Sequence, residues 1–274
     1  MNNKNSKNLT VLSVITGFLF SLSPTGDNLV AGAEPEKYSF ITKMGSKGSG
    51  DGQFITPHTI AFDSSGNMYV TDTKNSRVQK FDSNGTFLTK WGTFGTGESQ
   101  FSKHVHGIAI DSNDNVYVTD RDNSNIQKFD SNGTFLTKWG SQGRTHGQFM
   151  QPHSTAIDSN GNMYVSDMNN YRVQKFDSNG TFLTKWGSQG TGDGQFMKLS
   201  GIDLDSSDNV FIVDKNTSRV QKFDSNGTFL TKWGSQGTGD GQFLELEDIE
   251  IDSSDIVYIV DRGTPSIQSF TNVR

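Results

Sequence analysis

Cysteine is absent from the 274 residues, which excludes disulfides and thiolate-held metals. Basic clusters are absent as well. The net charge is −6, with acids and bases spread along the chain, and this disfavours nucleic acid as a partner. Apolar residues make up only 31% of the chain. Disorder could give that composition, but the aromatics recur in register with alternating segments, as in a turn-rich all-β fold. No nucleophile and base stand at a recognisable spacing, so the sequence writes no reaction of its own.

What is present is a repeat. Phe-Asp-Ser-Asn-Gly-Thr-Phe-Leu-Thr-Lys-Trp-Gly occurs unchanged at 81–92, 129–140, 176–187 and 223–234, at intervals of 48, 47 and 47 residues. A fixed period of that size points to a solenoid or propeller. Asp-Ser-Asn-Gly is a tight-turn signal, because Asn and Gly accept positive φ and the Asp side chain can bond the turn backbone. Arg-Val-Gln-Lys-Phe before it and Thr-Phe-Leu-Thr-Lys-Trp after it alternate apolar and polar residues. The stretch therefore predicts a β-hairpin, repeated four times.

Units run over 55–101, 102–149, 150–196 and 197–243, each reading as four strands. Residues 244–274 supply only three. Tyr38–Gly45 matches the fourth strand of the repeat, with Met44 where the copies have Trp91, Trp139, Trp186 and Trp233. The expectation is an all-β propeller of four-stranded blades, five in number, with the N-terminal strand completing the last blade and removing an open edge.

Residues 1–33 stand apart. Lys4 and Lys7 precede an apolar run over Leu9–Leu22, and Ala31-Gly32-Ala33 gives an A-x-A cleavage pattern. This is the layout of a signal peptide, with 34–274 as the mature propeller, secreted or surface-attached. An uncleaved membrane anchor is the alternative; the run is short for a spanning helix.

The stretch 57–82, from Pro-His-Thr-Ile-Ala-Phe-Asp to Arg-Val-Gln-Lys-Phe-Asp, resembles the NHL-repeat family of β-propellers, as does Gly-Thr-Gly-Asp-Gly-Gln-Phe, or a close variant, before the next unit. The resemblance covers 38–274. Such propellers most often have six blades, so five is a departure. Some members are binding scaffolds for proteins or RNA and others are metal-dependent enzymes, so the fold leaves function open.

Several residue patterns carry chemistry. Asp-x-x-Asn-x-Arg at Asp72, Asn75 and Arg77, again from Asp167 to Arg172, and with Thr217 for Asn from Asp214 to Arg219, reads as an Asp–Arg pair that pins a loop, with Asn125 and Ser266 replacing the arginine in the other two repeats. Turns such as Asp63–Asn67 resemble fragments of calcium loops but lack the distal Glu. Asn84, Asn132, Asn179 and Asn226 each open an Asn-Gly-Thr sequon in a hairpin turn, and are accessible glycosylation acceptors if the host modifies exported proteins. Turn geometry explains the same residues without modification.

Histidine is the sharpest signal. Five positions before the Asp that ends each first strand stand His58, His106, His153, Ser200 and Glu247. The first strand of a blade is innermost, so these residues should ring one mouth of the channel. Three imidazoles from adjacent blades could meet at zinc or another divalent ion, the three-His pattern of an open site. Inheritance by duplication, with local packing only, is the competing reading. Asp203 and Glu250 replace the Ala of other blades, and Asp248 adds a carboxylate. With Glu247 they make the last two blades acidic at the channel, a second candidate binding surface. Two functions follow: a binding scaffold for a protein, glycan or small ligand at this mouth, or a metal-dependent lyase or hydrolase using the three histidines there.

Overall fold

The computed structural model describes residues 43–271. The repeat folds as its hairpins require. The first blade is an antiparallel sheet of Pro57–Phe62, Met68–Asp72, Arg77–Phe81 and Phe87–Trp91, neighbouring in space in chain order. Three more four-stranded blades follow, opening with Val105–Ile110, Pro152–Ile157 and Leu199–Leu204. The fifth holds Leu246–Ile251, Val257–Asp261 and Ser266–Phe270. The protein is thus an all-β propeller of five blades. A feature the repeat did not announce lies in the linkers: Ser46–Lys47 pairs in parallel with Gln53–Phe54, and three later linkers form the same two-residue ladder.

Why these residues make these turns is visible at the second hairpin. The Asp130 carboxylate accepts from the N–H groups of Asn132 and Thr134, at 2.9 and 2.8 Å. Gly133 then takes φ +86°, and a Cβ there would stand 2.5 Å from the ring of Trp91. Only glycine permits both the turn and the seat for the tryptophan of the preceding blade. Trp139 on Gly180 and Trp186 on Gly227 repeat the arrangement. Met44 is the nearest side chain to Gly85, the matching position in the first blade.

Inside each blade a buried carboxylate holds the loop between second and third strands. Asp167 Oδ2 accepts from Arg172 Nε at 2.8 Å and from Asn170 Nδ2 at 2.8 Å. The rest of the Arg172 fork donates to the carbonyls of Arg144, Thr145 and Gln148. Arg77 and Arg219 do the same work beside Asp72 and Asp214. The pattern is structural, as the residues implied.

The blades pack through apolar seams. Four buried clusters fill the junctions from first to second blade through to fourth to fifth. Among the described residues, none fills a junction between fifth and first. Ile60 is 54% exposed, whereas the same strand position is 5% exposed at Ile108 and 4% at Ile202. Ile267 is 67% exposed where Val78, Ile126, Val173 and Val220 are fully buried. Among the described residues, strand Ser266–Phe270 pairs only with Val257–Asp261. Of the expected closing strand, Lys43–Gly45 lie in no strand, and 38–42 lie outside the described residues, as does the whole signal-peptide reading.

The unequal seams make a direct comparison. Ile108→Ala should destabilise the fold by about 2–4 kcal/mol, the usual loss for a buried aliphatic. Ile60→Ala should cost under about 0.5 kcal/mol, as at an exposed site. Chemical denaturation of the two variants checks this; equal losses would mean that Ile60 is buried in solution.

Candidate functional site

The inner strand of each blade begins at one end of the channel, and a register shift after its first residues turns the side chain there out of the regular alternation. His58, His106 and His153 occupy that position. One nitrogen from each lies within 4.8 Å of those of the other two. Ring centroids are 4.0 Å apart for His58 and His106, and 4.7 Å for His106 and His153. His58 is exposed, while His106 and His153 are only 7% and 9% exposed.

Electrostatics keep the inner two imidazoles neutral. Burial, helped by His153 and His58, pushes His106 down to about 2. Burial and then the Lys215 charge push His153 down to about 3. Burial also lowers His58, against the opposing charge of Glu247. A neutral imidazole keeps one bare lone pair, which is what a metal takes.

Hydrogen bonding is incomplete in a telling way. His58 Nδ1 lies 3.0 Å from Thr59 Oγ1, which leaves its Nε2 open. The Nδ1 atoms of both His106 and His153 are buried and have no hydrogen-bond partner. A buried polar nitrogen without a partner costs about 1–3 kcal/mol. Two in one cluster suit ligation, where nitrogens would close to the 2.0–2.1 Å bonds of zinc.

The acidic candidates sit elsewhere in the local chemistry. Glu247 shares the strand position of the histidines but is engaged by Lys215 at 2.6 Å and Arg262 at 3.2 Å. Burial raises Glu247, yet the bonds and charges of these two bases outweigh it and hold the carboxyl below its ordinary value. It is not among the mutually close ligand atoms. Asp203 Oδ2 accepts from the Ile251 N–H at 2.6 Å, and Asp248 Oδ1 from the Ile249 N–H at 3.1 Å. Burial pushes Asp203 up to about 7, with Glu250 adding repulsion, and Asp248 up to about 6. Glu250, exposed at its surface, is raised by the same desolvation. These carboxylates form a second group on the last two blades. Asn84, Asn132, Asn179 and Asn226 are all exposed at hairpin tips, where the turn and the tryptophan seat account for the sequence around them.

The raised carboxyls set a pH dependence. Folded Asp203 holds its proton to about pH 7, whereas the unfolded side chain releases it near its ordinary 3.8. The folded state therefore binds more protons between these values. This stabilisation is complete below the unfolded pKa and is lost as pH rises through the folded one, with a slope up to about 1.4 kcal/mol per pH unit. Asp203→Asn should flatten the stability profile between pH 4 and 7, as read by denaturant midpoints. An unchanged profile would contradict it.

Two residues near the histidines carried no clear signal. His104 lies with its ring 6.4 Å from His106, its Nδ1 on Asp122 and its Nε2 3.0 Å from Lys74 Nζ. Arg121 follows the last residue of the second strand in the second blade. The equivalent residues elsewhere are Thr73, Met168, Lys215 and Arg262, so the position is basic in three of the five blades but not in all.

Blades of antiparallel strands joined by hairpins, with small channel-side residues and a polar mouth, define a β-propeller. Within that class, the NHL repeat model matches 54–81 and 103–129, and a family described as 6-bladed beta-propeller matches 158–217 and 206–271. A 50-residue segment is 44% identical to Protein lin-41 of Caenorhabditis elegans, spanning 18% of this chain and 4% of that protein. Among solved structures, a catalytically inactive virginiamycin B lyase from Staphylococcus aureus with quinupristin aligns at TM-score 0.61 and 14% identity, over 82% of this chain and 68% of that one. A protein of unknown function from Bacteroides thetaiotaomicron aligns at TM-score 0.58 and 21% identity, over 77% and 57%. At such identities the likeness is one of fold.

Proposed function

We propose that this propeller is a binding scaffold whose channel mouth holds a divalent metal, zinc or a similar ion, on His58, His106 and His153. A protein, glycan or small ligand would be engaged there. The observation that carries the reading is the convergence of three imidazole nitrogens within 4.8 Å, two of the imidazoles having a buried Nδ1 without a partner. Three neutral imidazoles leave one tetrahedral position for water or a ligand. Export is part of the same proposal, and rests on the residues of the N-terminal 33.

Binding is favoured over catalysis by the state of Glu247. A metal-bound water acting in hydrolysis or elimination needs a base, and the carboxylate on the ring of histidines is tied to Lys215 and Arg262. The test is stoichiometry. Protein reconstituted with zinc and desalted should carry about one ion per chain by elemental analysis, and His106→Ala should carry almost none. Equal zinc in both would place the metal elsewhere.

A further inference from the structure

We infer that the ligand completing this site presents an anionic oxygen, a carboxylate or a phosphate, and that Arg121 receives it. The inference rests on the metal reading for the ion, and on separate geometry for the arginine.

Arg121 is laced between the two segments that deliver the buried histidines. Its backbone N–H donates to the carbonyl of His104, two residues before His106, at 3.1 Å. Its Nη2 donates to Gln151 Oε1, two residues before His153, at 2.9 Å. Gln151 is itself fixed by Asn169 Nδ2 at 3.0 Å. The main chain is therefore tied to one segment and the guanidinium to the other. Its Nε nevertheless has no hydrogen-bond partner and is buried.

The charge around it is also unanswered. Lys215 and Arg262, at the same position of later blades, both face Glu247. Among the described residues Arg121 forms no ion pair with a carboxylate. A divalent ion on the imidazoles would leave an open coordination position. A guanidinium held on Gln151, two residues from His153, with an unspent donor and no carboxylate facing it among the described residues, is complementary to an oxyanion. One oxygen would take the metal and another the arginine, by a charge-assisted bond.

The experiment uses the full chain loaded with cobalt(II), whose visible absorption reports its coordination. Acetate and inorganic phosphate are titrated separately, which distinguishes a carboxylate from a phosphate preference. The expected result is a saturable spectral change in the wild type. In Arg121→Gln the anion affinity should fall about tenfold to a hundredfold with cobalt content unchanged, while Arg121→Lys keeps part of it. Either no spectral change with both anions, or equal affinity in Arg121→Gln, overturns the inference and leaves the metal reading standing. Failure of cobalt to bind sinks the metal reading instead. Calorimetry of phosphate with the metal-free protein then decides the arginine alone: binding lost in Arg121→Gln supports it, and no Arg121-dependent binding overturns it.

Discussion

Adding zinc to metal-free protein should raise its melting temperature by about 5–10 °C. An ion bound only by the folded state stabilises it by about 2.7 kcal/mol at a hundredfold excess over Kd, and for a domain of this size each kcal/mol is worth about 2–4 °C. Chelation should reverse the shift. His106→Ala should abolish it, because His106 lies between the other two rings, 4.0 and 4.7 Å from them. His146→Ala should leave it intact. His146 stacks on Phe182 at 4.5 Å in a linker and has no equivalent in the other repeats. A full zinc response in His106→Ala would refute the three-histidine site, whatever its basal stability.

The second large effect concerns Arg172. Its replacement by Ala should destabilise the protein by about 3–5 kcal/mol, the penalty for leaving one partner of a buried ion pair alone. Asp167 is fully buried, and burial already raises its pKa despite the arginine. Removing the guanidinium also takes the donor from three carbonyls. Arg219→Ala should cost less, since Arg219 meets Asp214 at only 3.4 Å and its Nε is unpartnered. Urea denaturation of both variants tests the order. In the second blade, where Asn125 faces Asp120 in place of arginine, Asp120 keeps only the bonds from a backbone N–H, of Ser102, and an asparagine, Asn123, that Asp167 also receives from Met150 and Asn170.

Much of this was legible in the residues because the repeat multiplies each signal. One Asn-Gly turn is weak, but four in register with alternating strands define blades. The histidines were legible for the same reason, since a strand position shared by His58, His106 and His153 becomes a ring when blades surround an axis. What stayed hidden depends on partners distant in sequence. Glu247 reads as a spare carboxylate until Lys215 and Arg262 arrive from other loops. Arg121 shares its repeat position with Lys215 and Arg262, and differs from them only in that no carboxylate pairs with it among the described residues. The exposure of Ile60 was invisible because Ile60 and Ile108 are the same residue type at the same position, and differ only in whether a described neighbouring blade covers them. The linker ladders were missed because two residues carry no periodicity.

That no apolar seam joins the fifth blade to the first among the described residues has a consequence for motion. A ring in which every blade has two neighbours opens as a unit. A row with two ends behaves as a one-dimensional array, in which stability is a sum over blades and their nearest-neighbour contacts and the ends fray first. Amide exchange should then be slowest in the third blade and fastest in the first and fifth. His58 belongs to an end blade, His106 and His153 to the two that follow. An ion shared by the three would fasten the weakest end to the middle of the row. Ligand occupancy at the mouth would then be read out as slowed exchange in the first blade, while the fifth continued to open as before.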